Sequence, residues 1–330
     1  MTRIRGKRAD WMLITRRYGT ALFGIVMFIV FSFLAENFCS WSNLMIMLRS
    51  MSMLCICALG FTFVMAAGGF DMSIGNAAGL VNMLFVYTLI ASKNLLLAMV
   101  VGLLVGLAVG LVNGVLSGVV GLPDFIATYA VGCVAYGIKM LISGGNPTTI
   151  PKDIGLPALT FSMGQGRIPL GGVTIPVPVI IMLVFCVLAV FILKKTPLGR
   201  RVYAIGGNRV ASQYSGINVK KYRVITFLFS GLFMAVAAIL QTSRLGSGQP
   251  LAGEDFLMDT IAAVYLSTTM FGEGEPTPEG TIVGVFIITM LTNGLTMLGV
   301  QYYFQYITKG VVVILAVLVS VWQSSKAKKA

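Results

Sequence analysis

Long apolar runs alternate with short polar punctuation along this chain. Runs of span length fall at residues 20–38, 50–68, 74–92, 95–120, 124–143, 174–193, 223–242, 257–272, 280–299 and 302–322. Each is near the roughly 20 residues that a helix needs to cross a bilayer. The pattern predicts an all-α polytopic membrane protein of about ten transmembrane helices. The run at 257–272 is the weakest, because Met258 and Asp259 open it while Glu273 and Glu275 close it. A re-entrant course there would change the topology that follows.

Charge orients the pattern. Six of the 24 Lys and Arg lie in residues 1–17, eight in residues 194–223, and three in the tail at Lys326, Lys328 and Lys329. Such clusters mark the cytoplasmic side of a membrane protein. Ten spans then give cytoplasmic N and C termini and a cytoplasmic loop after the sixth span. The expected division is a basic lead-in at 1–19, a transmembrane domain at 20–322 and a tail at 323–330. Within the domain, the loop at 194–223 is cytoplasmic and the Gly- and Pro-rich loop at 144–173 is external. No small-residue cleavage pattern follows the basic start, so it reads as retained.

Composition agrees. The chain is 57% hydrophobic and 11% charged, with a mean hydropathy of +0.91, against roughly 25% charged in a soluble domain. The net charge of +13 is topological and calls for no nucleic acid; the surrounding partner is membrane lipid. Cys39, Cys55, Cys57, Cys133 and Cys186 lack a disulfide or zinc spacing and read as small buried hydrophobes. There is no His and no G-x-x-x-x-G-K-[ST] run, so the chain offers no His base and no phosphate-cradling loop. No cofactor is expected on it.

The polar residues inside apolar surroundings then stand out. In "GGFDMSIG" the glycines end one helix, and Asp71 can cap the next by accepting from the N–H of Ser73 or Ile74. A substrate contact or gate is the other reading, since intramembrane acids are functional by default. Asn113 and Asn293, each before a Gly, either bond across helices or line a pathway. Gly102, Gly106 and Gly110 form a small-xxx-small row for close helix packing. Arg49, Lys139, Arg244 and Lys309 lie near span ends, where long basic side chains snorkel to the interface.

An internal repeat is visible. "GLVNGVLSGVVGLPDFIAT" and "MLTNGLTMLGVQYYFQYIT" share an Asn-Gly pair and a terminal Thr, which matches spans 2–5 with spans 7–10. Five spans between equivalents make the halves inverted, an arrangement that frames sites near the midplane. In the cytoplasmic loop, Asn208 is an N-cap candidate, a helical pattern runs to Tyr214, and Gly216 is a C-cap candidate. A solvated loop has no need of Ala204, Ile205, Val210, Ala211 and Ile217. The short helix docks on a partner or lies on the bilayer surface.

The segments "GGFDMSIGN", "GLPDFIATYAVG", "TPLGRRVYAIGGN", "YSGINVKK", "SRLGSGQP" and "NGLTMLGV" resemble, in order and spacing, the permease subunits of ribose-type bacterial ABC sugar importers. That family also contains xylose, arabinose, galactose and autoinducer-2 permeases. The resemblance runs from about residue 43 to 322. It implies a ten-helix permease of the cytoplasmic (inner) membrane, paired with a second permease subunit, that moves a monosaccharide or similar small polar solute by alternating access. It implies a cytoplasmic ABC ATPase that holds ATP and Mg, and an extracytoplasmic solute-binding protein.

Carried over by position, the resemblance makes Gly69, Asp71, Ser73 and Gly75 the helix break beside the pathway. Asn208, Arg209, Ala211, Ser212, Tyr214, Ser215 and Gly216 become the ATPase coupling helix. "YLSTTMFGEGEPTPEG" and Asp124 in "GLPDF" depart from the family's usual pattern, which leaves the solute open. The rival function is a stand-alone secondary carrier, favoured by the repeat and weakened by the lack of a proton relay.

Overall fold

The computed structural model describes residues 22–151, 157–170, 173–270 and 274–327; the whole basic lead-in and the last three residues of the tail lie outside them. The architecture is helical: α1 (Leu22–Leu34), α2 (Trp41–Ala66), α3 (Ile74–Ser92), α4 (Leu95–Gly114), α5 (Asp124–Ser143), α6 (Pro157–Gln165) and α7 (Val177–Val190). There follow α8 (Pro197–Gly207), α9 (Arg209–Tyr214), α10 (Val219–Leu245), α11 (Glu254–Thr268), α12 (Pro278–Met297) and α13 (Tyr302–Ala327). Helices α4 and α7 each run on into a wider turn, at Val115–Val120 and Phe191–Lys195.

Among the described residues, seven helices are long and apolar enough to cross a membrane: α2, α3, α4, α5, α7, α10 and α12, with α4 and α7 taken through their wider turns. The weak run at 257–272 is the 15-residue α11. At about 1.5 Å per residue it falls short of the roughly 30 Å hydrocarbon core. The sequence divides into two compact units, Leu48–Thr260 and the pair Met1–Met47 with Ile261–Ala330, and each is described by itself.

In the larger unit, α2, α3 and α10 are the central helices, with 67, 67 and 61% of their apolar windows buried, against 22–33% for α4, α5 and α7. The glycine row finds its partner here. Gly102, Gly106, Gly110 and Gly114 of α4 face Ile239, Gly231, Phe227 and Val224 of antiparallel α10. A methyl group at Gly114 would sit 2.8 Å from the Val224 Cα. In lipid, where apolar surface gives no net drive, such close packing is what holds helices together. On the far side of α10, Phe63 of α2 stacks on Phe229 at 4.5 Å, and Phe185 of α7 meets Phe233 edge-on at 4.8 Å.

The described parts of the loop at 144–173 carry secondary structure. β1 (Thr148–Thr149) pairs antiparallel with β4 (Ser247–Gly248), and β2 (Arg167–Leu170) with β3 (Val173–Pro176). α6 lies along the end of α10, where the Gln165 amide donates to the Arg244 carbonyl at 2.9 Å. Cys55, Cys57 and Cys186 are buried as expected, but Cys39, in the turn after α1, and Cys133, on the surface of α5, are exposed. Apolar flanking sequence cannot separate the lipid-facing side of a span from its packed side.

In the smaller unit, Phe31, Phe38, Met47, Met290 and Leu291 form a core. Gly294 lies directly against the Phe31 ring. Asn43 and Asn293 exchange two amide hydrogen bonds of 3.0 Å.

A side chain at Gly110 must displace the Phe227 backbone, whereas one at Gly137 meets nothing within 4 Å. Gly110→Val should therefore lower thermal stability in detergent by about 1–3 kcal/mol, and Gly137→Ala should leave the melting temperature unchanged.

Candidate functional site

The helix break is a non-helical stretch of backbone laid along α5. α2 ends at Ala66, and Gly68, at φ +69°, takes the left-handed turn that glycine accepts without strain. The amides of Ala67, Gly68 and Gly69 bond back to the carbonyls of Val64, Met65 and Val64. The Phe70 N–H then donates to Asp124 Oδ2 at 3.2 Å and the Met72 N–H to Thr128 Oγ1 at 2.9 Å.

The register has a simple origin. Two extended residues rise about 6.6 Å, and four helical residues about 6 Å. Positions 70 and 72 therefore keep step with Asp124 and Thr128, one helical turn apart. One turn further, Gly132 leaves room for the Ser73 Cα. A methyl group at Gly69 would lie 3.0 Å from Asp124 Oδ2 on this same side, and one at Gly75 would lie 3.1 Å from the Gly253 carbonyl.

Asp71 is only 2% exposed and sits at the centre of this break. Its Oδ1 accepts from the Ser73 N–H at 3.0 Å, the Ser73 hydroxyl at 2.6 Å and the Asn113 amide at 3.4 Å. Its Oδ2 accepts from the Ser230 hydroxyl at 2.9 Å. Asn113 also donates to Ser73 Oγ at 2.8 Å. The N-terminal cap takes a particular form: Asp71 receives the Ser73 amide, Ile74 is not its donor, and Ser73 occupies the cap position without bonding forward. The donors come from α4, α10 and the start of α3, so one carboxylate ties three helices.

Of the sequence-selected positions, Gly69, Asp71, Ser73, Gly75 and Asn113 come together at the break. Asn293 lies in the smaller unit, paired with Asn43.

The candidates in the loop at 194–223 form a capped helix. Asn208 Oδ1 accepts from the Ala211 N–H at 2.9 Å to start α9. Gly216, at φ +80°, ends it, with the Ile217 N–H on the Ser212 carbonyl at 3.1 Å. Asn218 Oδ1 then caps α10 through the Lys221 N–H at 3.0 Å. Ser212 faces inward, while Arg209, Ala211, Ser215 and Gly216 are exposed, as are Val210 at 63% and Tyr214 at 89%. The apolar residues divide by role. Ile205 and Ile217 pack with Val219 and Tyr222 in a small core under the loop, and Val210 and Tyr214 stay exposed.

Two ion pairs, one of them largely buried on both sides, escaped sequence reasoning. Asp124 pairs with Arg223, 99 residues away. Lys139 does not snorkel: it is fully buried, donates to Asn76 Oδ1 at 3.0 Å and lies 3.8 Å from Glu254. The only signal for either was Asp124 itself, an acid where the resembling family has an apolar residue or Pro. Among the described residues, no group of three His, Cys, Asp or Glu is placed to hold a metal.

Residues 43–318 match the family described as branched-chain amino acid transport system / permease component. The chain is 38% identical to the ribose import permease protein of Bacillus subtilis (strain 168), across 94% of this chain and 95% of that one. It is 37% identical to the ribose import permease protein of Haemophilus influenzae across 95% of each. The D-allose transport system permease protein of Escherichia coli (strain K12) is 31% identical, across 94% of this chain and 93% of its own. No solved structure matches significantly. A multi-pass helical chain with a polar break inside its bundle, matched along nearly its whole length, belongs to the branched-chain amino acid transport system / permease component family, among its ribose-type ABC permeases.

Proposed function

We propose that this chain is the membrane-spanning subunit of a bacterial ABC importer, carrying a monosaccharide or sugar-like solute across the cytoplasmic membrane by alternating access. The relatives named for ribose and D-allose import support the solute class. The observation that carries the mechanism is α9: a helix capped at both ends, seated on its own small core, with Val210 and Tyr214 turned outward. A loop that needed only to reverse the chain would not hold these side chains ready.

In this reading a cytoplasmic ATPase receives α9 and holds ATP and Mg, and an extracytoplasmic binding protein delivers the solute. A second permease subunit completes the pathway. The topology in this reading counts ten membrane segments, the short α11 being the eighth, with both termini cytoplasmic and spans 2–5 inverted onto 7–10. The domain spans 20–322, between a lead-in at 1–19 and a tail at 323–330. The break at Gly69, Asp71, Ser73 and Gly75, with Asn113 beside it, forms the gate, and Asn293 steadies its own unit. Each partner shifts the permease only by its difference in affinity for the two facing states.

Val210→Glu and Tyr214→Ala should each weaken retention of the ATPase on the purified permease by about tenfold or more, as loss of a central anchor does. The melting temperature of the permease alone should not change. Unchanged retention in both variants, with uptake insensitive to ATP, would instead favour the secondary carrier. Asp71 has a separate expectation. Ser230→Ala removes one of its donors and should cost about 1 kcal/mol in thermal unfolding. Asp71→Asn sets an amide against hydroxyl and amide donors, and should reduce uptake about tenfold or more while the chain still inserts, consistent with a coupling free energy of a few kcal/mol.

A further inference from the structure

Both flanks of the cytoplasmic loop reach the α2–α3 break. On the leading side, α8 ends with Gly206 packed against the Ala66 carbonyl and 3.3 Å, measured from an added methyl, from the Gly68 amide nitrogen. On the trailing side, Arg223 lies four residues into α10 and pairs with Asp124, the first residue of α5. The Asp124 carboxylate is divided between two tasks. Oδ1 takes Arg223, and Oδ2 takes the Phe70 N–H, one residue before Asp71. Ile205 of α8 packs with Val219 and Tyr222 of α10, and Arg201 of α8 donates to the Tyr222 hydroxyl. The two flanks of α9 are thereby fastened to each other as well as to the break.

We propose that the Arg223–Asp124 pair is a transmission strut, a positioning element through which movement of α9 reaches the break at residues 69–73. The side chains are 6 and 14% exposed. In such surroundings a charge pair is much stiffer than at a surface, and the loss of either member leaves an uncompensated buried charge. The planar fork of Arg holds a carboxylate in a fixed orientation, which an ammonium does not. When α10 shifts at its first turns, Asp124 follows, and Phe70 is carried with it. The Gly206 contact transmits push along the leading side through backbone alone, whereas the charge pair is the part of the trailing link to α5 that substitution can uncouple without filling space.

The inference rests on α9 being the ATPase contact, and the test separates the two. The permease, with the ATPase that co-purifies with it, is placed in lipid nanodiscs. Backbone hydrogen exchange is then read without nucleotide and after trapping with ATP and vanadate. In the wild-type complex, amides of α9 and of residues 69–73 should both change on trapping, the latter by about tenfold. In Arg223→Gln and Asp124→Asn, α9 should still respond while residues 69–73 change by less than about twofold. Arg223→Lys, which keeps the charge and folds most conservatively, should give an intermediate response. A full response at residues 69–73 in Arg223→Gln overturns the strut, as does a wild-type complex whose α9 responds while the break does not. If wild-type α9 shows no response, the coupling reading fails and takes the strut with it.

Discussion

Backbone that leaves helical geometry inside a membrane bundle has no water to turn to, so every freed amide needs a partner supplied by the protein. That constraint organises the larger unit of this chain. Residues 69–73 are unwound, and α5 answers them with Asp124, Thr128 and Gly132 at one-turn intervals. The closeness of two strand residues to one helical turn makes this pairing repeatable along the segment. Asp71 then gathers Ser73, Asn113 and Ser230 and joins the break to α4 and α10. The glycines of α4 follow from the same requirement. Only a side-chain-free face lets α10 come close enough for the Ser230 hydroxyl and Asn113 amide to reach one carboxylate.

Charge is used sparingly and in the same place. Asp124 serves the unwound backbone and Arg223 at once, while Lys139 bonds to Asn76 in the first turn of α3 and reaches toward Glu254. A largely buried pair such as Asp124–Arg223 contributes little net stability, because desolvation offsets most of the attraction. Its value lies in orientation, since a partner left alone in the interior is costly. Here the Arg223 pair holds the break in a defined position relative to the first turns of α10.

Much of this was legible in the sequence because punctuation in membrane proteins is chemically distinct from spans. Span limits expected at 74–92, 95–120 and 124–143 coincide with α3, with α4 and its wider turn, and with α5. Asn94 caps one end of this stretch, and Gly121 and Gly144, both at positive φ, close the other two. The caps of α9 at Asn208 and Gly216 were readable for the same reason. What was hidden is which face of each span meets protein. An apolar residue suits lipid and core alike, so Cys133 on exposed α5 and Cys57 inside α2 carry the same signal. Lys139 was misread because a cation near a span end has two satisfactory outcomes, the interface or a buried acceptor. Only the approach of Asn76, 63 residues earlier, selects the second. Ile205 and Ile217 were credited to a partner when they build the loop's own core.

The central claim is that the break is an ordered element whose amides are held by α5. The most direct measurement is residue-resolved amide hydrogen exchange on the permease alone in nanodiscs, compared within one sample at Phe70, Met72 and the exposed turn at residues 144–146. The structure predicts that Phe70 and Met72 exchange slowly, in the range of the flanking helices, although neither is helical. Exchange at those two amides as fast as at the turn would mean that Asp124 and Thr128 do not hold the break, and would contradict the account.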